Sequence, residues 1–124
     1  MTDIYDIAII GAGPAGLMAA ITASGENARV LLLEKGTSPG RKLLATGGGR
    51  CNLTHHGDTE SFLEGFDKKR ARFLKHAAWM FPPDAVMDYF VSHGIELVVE
   101  RGERVFPKNK RARDILEILR KETV

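Results

Sequence analysis

The sequence predicts an α/β fold: a parallel β-α-β unit at the front, then a helical segment and a small β-hairpin. Three observations predict it. Two short apolar runs, Ile4 to Ile10 and Arg29 to Glu34, flank a glycine-rich turn and a stretch of small apolar residues. Helical apolar spacing, broken by Pro82 and Pro83, fills the middle of the chain. Two further short runs, Ile95 to Glu100 and Glu103 to Phe106, face each other across Arg101-Gly102.

Ile4 to Ile10 is β-branched and mostly apolar, as suits a parallel strand covered on both faces. It ends at Gly11, and Pro14 stands where a helix can begin without losing a useful N–H. Ala15 to Ala23 is small and apolar, a helix suited to close packing on a sheet, and Gly25 closes it. Arg29 to Glu34 is the second buried strand, completing a β-α-β unit of about thirty residues. Lys35 to Leu53 keeps neither a helical nor a strand period and reads as a long loop, whose glycines and basic residues favour a functional role. A short helix is expected over Asp58 to Phe66, and a longer one over Lys69 to Phe81 with Phe73, Ala77 and Met80 on its apolar side. Asp84 to His93 is a further helix ended by Gly94, and Asp114 to Lys121 a last one, with Ile115, Leu116, Ile118 and Leu119 at helical spacing. Residues 1–53 therefore form the β-α-β unit with its glycine loop, and residues 54–124 the helices and hairpin.

Apolar content of 44% and charged content of 27% are those of a folded globular chain. Eighteen basic against sixteen acidic side chains give a net charge of +2, which singles out neither a polyanion nor a membrane as partner. A single cysteine, Cys51, excludes an intrachain disulfide and fits a reducing compartment. Ile7 to Gly25 carries no charge, yet Asp3 and Asp6 precede it where a signal peptide has Lys or Arg, and its glycines and proline would break a membrane helix. The expected location is cytoplasmic.

Gly11-Ala12-Gly13-Pro14-Ala15-Gly16 fits G-x-G-x-x-G, the dinucleotide-binding fingerprint of a Rossmann-like unit. Gly11 permits the tight turn, Gly13 lets a pyrophosphate approach the backbone, and Gly16 lets the helix sit close to the strand. The helix start offers N–H groups and partial positive charge to phosphate. Glu34 falls at the end of the second strand, 18 residues after Gly16, where an acid accepts from both ribose hydroxyls and repels a 2′-phosphate. The fingerprint alone leaves NAD, NADP and FAD open.

The second motif runs from Pro39 to Asn52, PGRKLLATGGGRCN. Three consecutive glycines between Thr46 and Arg50 let backbone approach a flat ligand with successive N–H donors. Arg41, Lys42 and Arg50 can neutralise a pyrophosphate or a reduced isoalloxazine. With GAGPAGLMAA, LLLEKGTSPGRKLLATGGGRCNLT and GERVFPKNKRARDIL, essentially the whole chain resembles the N-terminal part of the BaiN-like family. These are bacterial NAD(P)/FAD-dependent oxidoreductases that include the aminoacetone-oxidase type. The resemblance implies a flavoprotein enzyme that binds FAD, with NAD(P)H as a candidate electron donor and a small molecule as substrate. It implies that Gly11, Gly13, Pro14, Ala15, Gly16 and Glu34 hold the ADP half of FAD, with Lys35 beside the adenosine. Arg41, Lys42, Gly48, Gly49, Arg50, Cys51 and Asn52 would reach the pyrophosphate, ribityl chain and flavin ring, and Arg104 to Pro107 the substrate side. His55-His56 and Lys108-Asn109-Lys110-Arg111 depart from the family pattern. Full members are several times longer, so an incomplete FAD domain is expected, its first strand short of a neighbour. No side chain here has a claim as a catalytic acid or base. The competing readings are a non-catalytic fragment and an NAD-binding dehydrogenase domain. The glycine loop after the second strand argues against the latter, which does not need one.

The remaining residues suggest no further site. Cys51 is expected to pack beneath a cofactor, and the four histidines lack metal-site spacing. Trp79 and Phe81 are expected in the core. The basic runs Lys68-Lys69-Arg70 and Lys108 to Arg113 read as solvated faces without aromatic interleaving, so no nucleic-acid partner is expected.

Overall fold

The computed structural model describes residues 3–109 and 111–123, so Lys110, a member of the second basic run, lies outside the described residues. In chain order the elements are β1 (Ile7–Ile10), α1 (Pro14–Gly25), β2 (Val30–Leu33), α2 (Arg41–Ala45), a 3-10 turn (Thr46–Gly49), β3 (Thr54–His55), α3 (Thr59–Glu64), α4 (Lys68–Met80), α5 (Pro83–Ser92), β4 (Leu97–Glu100), β5 (Arg104–Pro107) and α6 (Ala112–Thr123). They pack as two compact units, residues 3–51 with 111–123, and residues 52–109. Chain order alone puts a boundary after residue 53; packing groups α6 with the first unit, because its apolar stripe is buried on α1.

In the first unit β1 and β2 pair in parallel, Ile7 opposite Val30 and Ile10 opposite Leu33. Pro14 occupies the first turn of α1, and past its end Asn27 takes the left-handed position at φ 60°. α1 buries Leu17 and Ala20, and α6 packs on it with Ala112, Ile115, Leu116 and Leu119 buried. Each such leucine or isoleucine contributes about 1.5–3 kcal/mol on burial. The strand expected from Ile4 begins at Ile7, and it is not covered on both faces: Ile10 is 88% exposed. The sheet of this unit is two strands wide with α1 packed on it, and side chains alternate between faces, so those pointing away from α1 stay in water. The loop expected over Lys35 to Leu53 also differs, since it contains α2 and the 3-10 turn. Five residues are too few to show a helical period.

The second unit holds an antiparallel sheet of order β3-β5-β4, with Val105 of β5 facing Thr54 and Val99. Val105, Phe106, Phe90 and Ile95 are buried. The hairpin loop spans 101–103, one residue longer than the expected Arg101-Gly102 turn, with Gly102 and Glu103 both left-handed. β3 has two residues and so no period to read. Asp67 caps α4, its carboxylate accepting from the Lys69 and Arg70 N–H groups.

The face of α4 is the main correction in this unit. Ala71, Leu74 and Ala78 turn inward, and the expected apolar side is in solvent, with Phe73 86% and Met80 73% exposed. Both stripes have helical spacing. The smaller one, with two alanines, lets the backbone of α4 come close to its neighbour α3. Trp79, at 53% exposed, and Phe81 are likewise at the surface and not in the core.

Gly40 links fold to site. It precedes α2 at φ 70°, and a Cβ there would run into the Leu116 side chain, its Cδ2 at 2.8 Å. Left-handed strain and displacement of a buried leucine together should make Gly40→Ala cost about 2 kcal/mol or more. Gly25→Ala meets nothing within 4 Å and should stabilise by up to about 1 kcal/mol. Urea midpoints of the two variants check this, with opposite shifts expected.

Candidate functional site

The fingerprint turn is organised around one peptide group, that of Ala12, which is 3% exposed. Its N–H donates to Glu34 Oε2 at 2.8 Å, and its carbonyl accepts from the Gly40 N–H at 2.8 Å. The Gly11 N–H donates to the Leu33 carbonyl at 2.7 Å, which continues the β1–β2 ladder into the turn. Glu34 Oε1 accepts from the Gly36 N–H at 2.6 Å. One acid at the end of β2 thus holds both its own loop and the turn after β1.

The three fingerprint glycines differ in what surrounds them. Gly11 turns at φ 100°. Gly16 is a packing glycine, because a Cβ there would overlap the Gly11 carbonyl oxygen and lie 3.0 Å from its carbon. Gly13, the N-cap of α1, is extended at φ −79°, ψ −179°, and a Cβ there would meet nothing within 4 Å. The first helical bond is Leu17 N–H to the Gly13 carbonyl, and Pro14 has no N–H, so the Ala15 and Gly16 N–H groups have no acceptor within α1. They point past the helix start with the positive end of its dipole.

Gly13, Pro14, Glu34, Arg41, Lys42, Ser38, Gly40 and Ala45 line a cleft of about 670 Å³, within the range of small-molecule sites. Five of these were named from sequence as cofactor-binding residues. Ser38, Gly40 and Ala45 were not. Their signal is the Ser38-Pro39-Gly40 turn, which delivers α2 to the cleft rim. Gly11, Ala15 and Gly16 build the turn without lining the cleft, and Lys35 is exposed beside Glu34.

The glycine run follows directly. α2 is about 7.5 Å long at 1.5 Å per residue, and it leads from Gly40 into a turn where Gly47, Gly48 and Gly49 have φ of 55°, 65° and 87°. A Cβ on Gly48 would meet nothing within 4 Å. Thr46 Oγ1 donates to the Leu43 carbonyl, and the Cys51 N–H to the Thr46 carbonyl. Gly48, Gly49, Arg50 and Cys51 belong to this unit but not to the cleft lining. The Cys51 side chain is buried, and burial pushes its thiol up, the Thr46 side chain opposing in part. That suits a packing thiol and not a nucleophile. Asn52 is exposed and belongs to the second unit. Of Arg104 to Pro107, only Arg104 is exposed; the other three side chains are buried.

Among the described residues no helix is long and apolar enough to cross a membrane, and no group of His, Cys, Asp and Glu could hold a metal ion.

The two N–H donors from Gly36 and Ala12, in that order, hold the Glu34 carboxyl below the ordinary glutamate value, with Arg41 adding to them. A depressed folded value means that the stabilisation is present above the unfolded pKa and is lost as pH falls through the folded one. A carboxyl-carbon NMR titration should give Glu34 a midpoint below that of a free glutamate, and the Ala12 and Gly36 amide shifts should move with the same midpoint.

A family model described as the HI0933-like protein Rossmann domain matches residues 5–124. The chain is 36% identical over 118 residues to a 3-dehydro-bile acid delta(4,6)-reductase of Clostridium scindens, covering 94% of this chain and 28% of that protein. It is 38% identical over 92 residues to the ribosomal RNA dihydrouridine synthase of Escherichia coli, covering 73% and 22%. A digeranylgeranylglycerophospholipid reductase of Methanococcoides burtonii is 44% identical over 57 residues, 45% of this chain and 14% of that one. The chain therefore spans under a third of the length of these relatives.

Proposed function

The chain belongs to the HI0933-like, or BaiN-like, Rossmann family, and from that premise we propose that its cleft holds the ADP half of FAD in a flavin-dependent oxidoreductase. The observation that carries the reading is the open backbone at Gly13. It lies at the start of α1, in one cleft with Glu34 and two cations, Arg41 and Lys42.

The residues fit the group. A diphosphate needs N–H donors, positive charge and backbone without a side chain in the way. The Ala15 and Gly16 N–H groups supply the first, Arg41 and Lys42 the second, and Gly13 the third. Each Glu34 oxygen already accepts one backbone N–H and keeps a second lone pair, so the carboxylate can accept ribose hydroxyls while still holding the turn. Gly48 and Gly49, left-handed and free of nearby atoms on the Cβ side or nearly so, suit the approach of a flat ring, with Arg50 next to them. Cys51, with its side chain buried, ties the end of that turn back through its N–H to the Thr46 carbonyl.

When bound, FAD supplies two-electron redox chemistry, and the protein supplies binding, orientation and electrostatics. NAD(P)H as electron donor and a small-molecule substrate complete the proposal. The names of two relatives, both reductases, support the reaction class.

Gly13→Ala separates cofactor binding from folding. The φ of −79° accommodates alanine and no protein atom lies within 4 Å, so the melting temperature should stay unchanged. The added methyl would fill the space a phosphate needs, and FAD affinity should fall at least tenfold, about 1.4 kcal/mol or more. Flavin fluorescence titration and thermal unfolding measure the two. A wild-type chain that binds no FAD, or a variant that binds as well as wild type, overturns the reading. A bound flavin band at about 450 nm that NAD(P)H bleaches would support the donor assignment.

A further inference from the structure

The second unit carries a separate groove, of about 810 Å³, between α3 and α4. Lys68, Arg72, Lys75 and Trp79 line one wall. They stand at i, i+4, i+7 and i+11, which places all four within an arc of about 60° on α4 and along about 17 Å of its length. No salt bridge ties down the three cations among the described residues, whereas the neighbouring Arg70 is paired with Asp67 at 3.2 Å. From Lys68 to Met80 α4 has five Lys and Arg and no acid. Leu63 and Phe66 give the groove apolar surface, and Glu60 and Glu64 line it from α3. The solvated-face expectation rested on interspersed acids, missing aromatic interleaving and low total charge. Of these the aromatics change: Trp79, by the period of α4, and Phe66 line the groove with the cations.

We propose that this groove binds single-stranded nucleic acid, about three nucleotides long, with its backbone along α4 and its bases turned toward α3. Three cations in one line, none of them in a salt bridge among the described residues, match a run of phosphates, and an exposed tryptophan at the end of the line offers a face on which a base stacks. Glu60 and Glu64 repel phosphate and accept from base amino groups, which sets backbone and bases on opposite walls. A second copy docked helix to helix on α4 is disfavoured, since five cations would meet five. Phe73 and Met80 are exposed on another side of α4, where a membrane would seat them. In the groove itself Trp79 lies in the cationic line and acids line the facing wall, so a lipid surface is made an outcome of the test.

Trp79 is the sole tryptophan of the chain, so its fluorescence reads the site directly. With the full chain at about 50 mM salt, a cytidine hexamer, whose bases carry the amino donor, should quench Trp79, and the affinity should fall with salt at a log–log slope near −2, three contacts at about 0.7 each. An abasic hexamer of the same length should bind at least about fivefold more weakly, for want of stacking. The triple variant Lys68→Ala, Arg72→Ala, Lys75→Ala changes exposed side chains only. It should keep its circular dichroism while losing at least tenfold in affinity. Absence of quenching by the hexamer overturns the proposal, as does equal binding by the triple variant. So does quenching by phosphatidylserine vesicles alone, which would assign the groove to a lipid surface.

Discussion

The Ala12 peptide is the point on which the first unit depends. Its N–H is held by a carboxylate from the end of β2 and its carbonyl by the N–H that begins α2. Removing either bond would leave a nearly buried polar group without its partner, a loss of about 1–3 kcal/mol for a backbone group. The two bonds also fix relative positions. They draw the turn after β1 to the acid after β2 and the start of α2, which lie more than twenty residues further along the chain, around one cleft. A binding site for a diphosphate needs that convergence before any ligand arrives, because donors already in place need no further ordering.

Glu34 consequently has two duties. An acid at this position is usually understood through the ribose it binds. Here both of its oxygens also accept backbone N–H groups, so the side chain shapes the turn as well as facing the cleft. The glycines divide in the same way. Gly16 and Gly40 are required by neighbours inside the protein, the Gly11 carbonyl and the Leu116 side chain, while Gly13 has empty space beside it. Identical letters in a motif thus carry different physical demands, and only the surroundings tell them apart.

Much of this was legible in the sequence, for definable reasons. β1, α1 and β2 were readable because strand and helix periods and a fingerprint with fixed glycine roles all agree. The family was readable from three stretches, GAGPAGLMAA, LLLEKGTSPGRKLLATGGGRCNLT and GERVFPKNKRARDIL, the second carrying the most selective block, and a match over residues 5–124 bears it out. Short elements were not readable: α2 and β3 have too few residues to display a period. Orientation was also hidden. In α4 the stripes Phe73–Ala77–Met80 and Ala71–Leu74–Ala78 are both spaced for a helix, and the smaller one won because close packing favours alanine over bulk. The period of α4 sets Trp79 beside Lys75 and Arg72 whatever the helix faces; what the sequence conceals is that this side meets solvent and, with Leu63 and Phe66, lines a groove.

The most direct test of the central claim is an amide NMR titration of the full chain with ADP, which carries the diphosphate without the flavin. The account predicts saturable shifts concentrated at Gly13, Ala15, Gly16, Gly36 and Arg41, and much weaker ones with adenosine. Shifts confined to residues outside this set, or equal effects of ADP and adenosine, would contradict it.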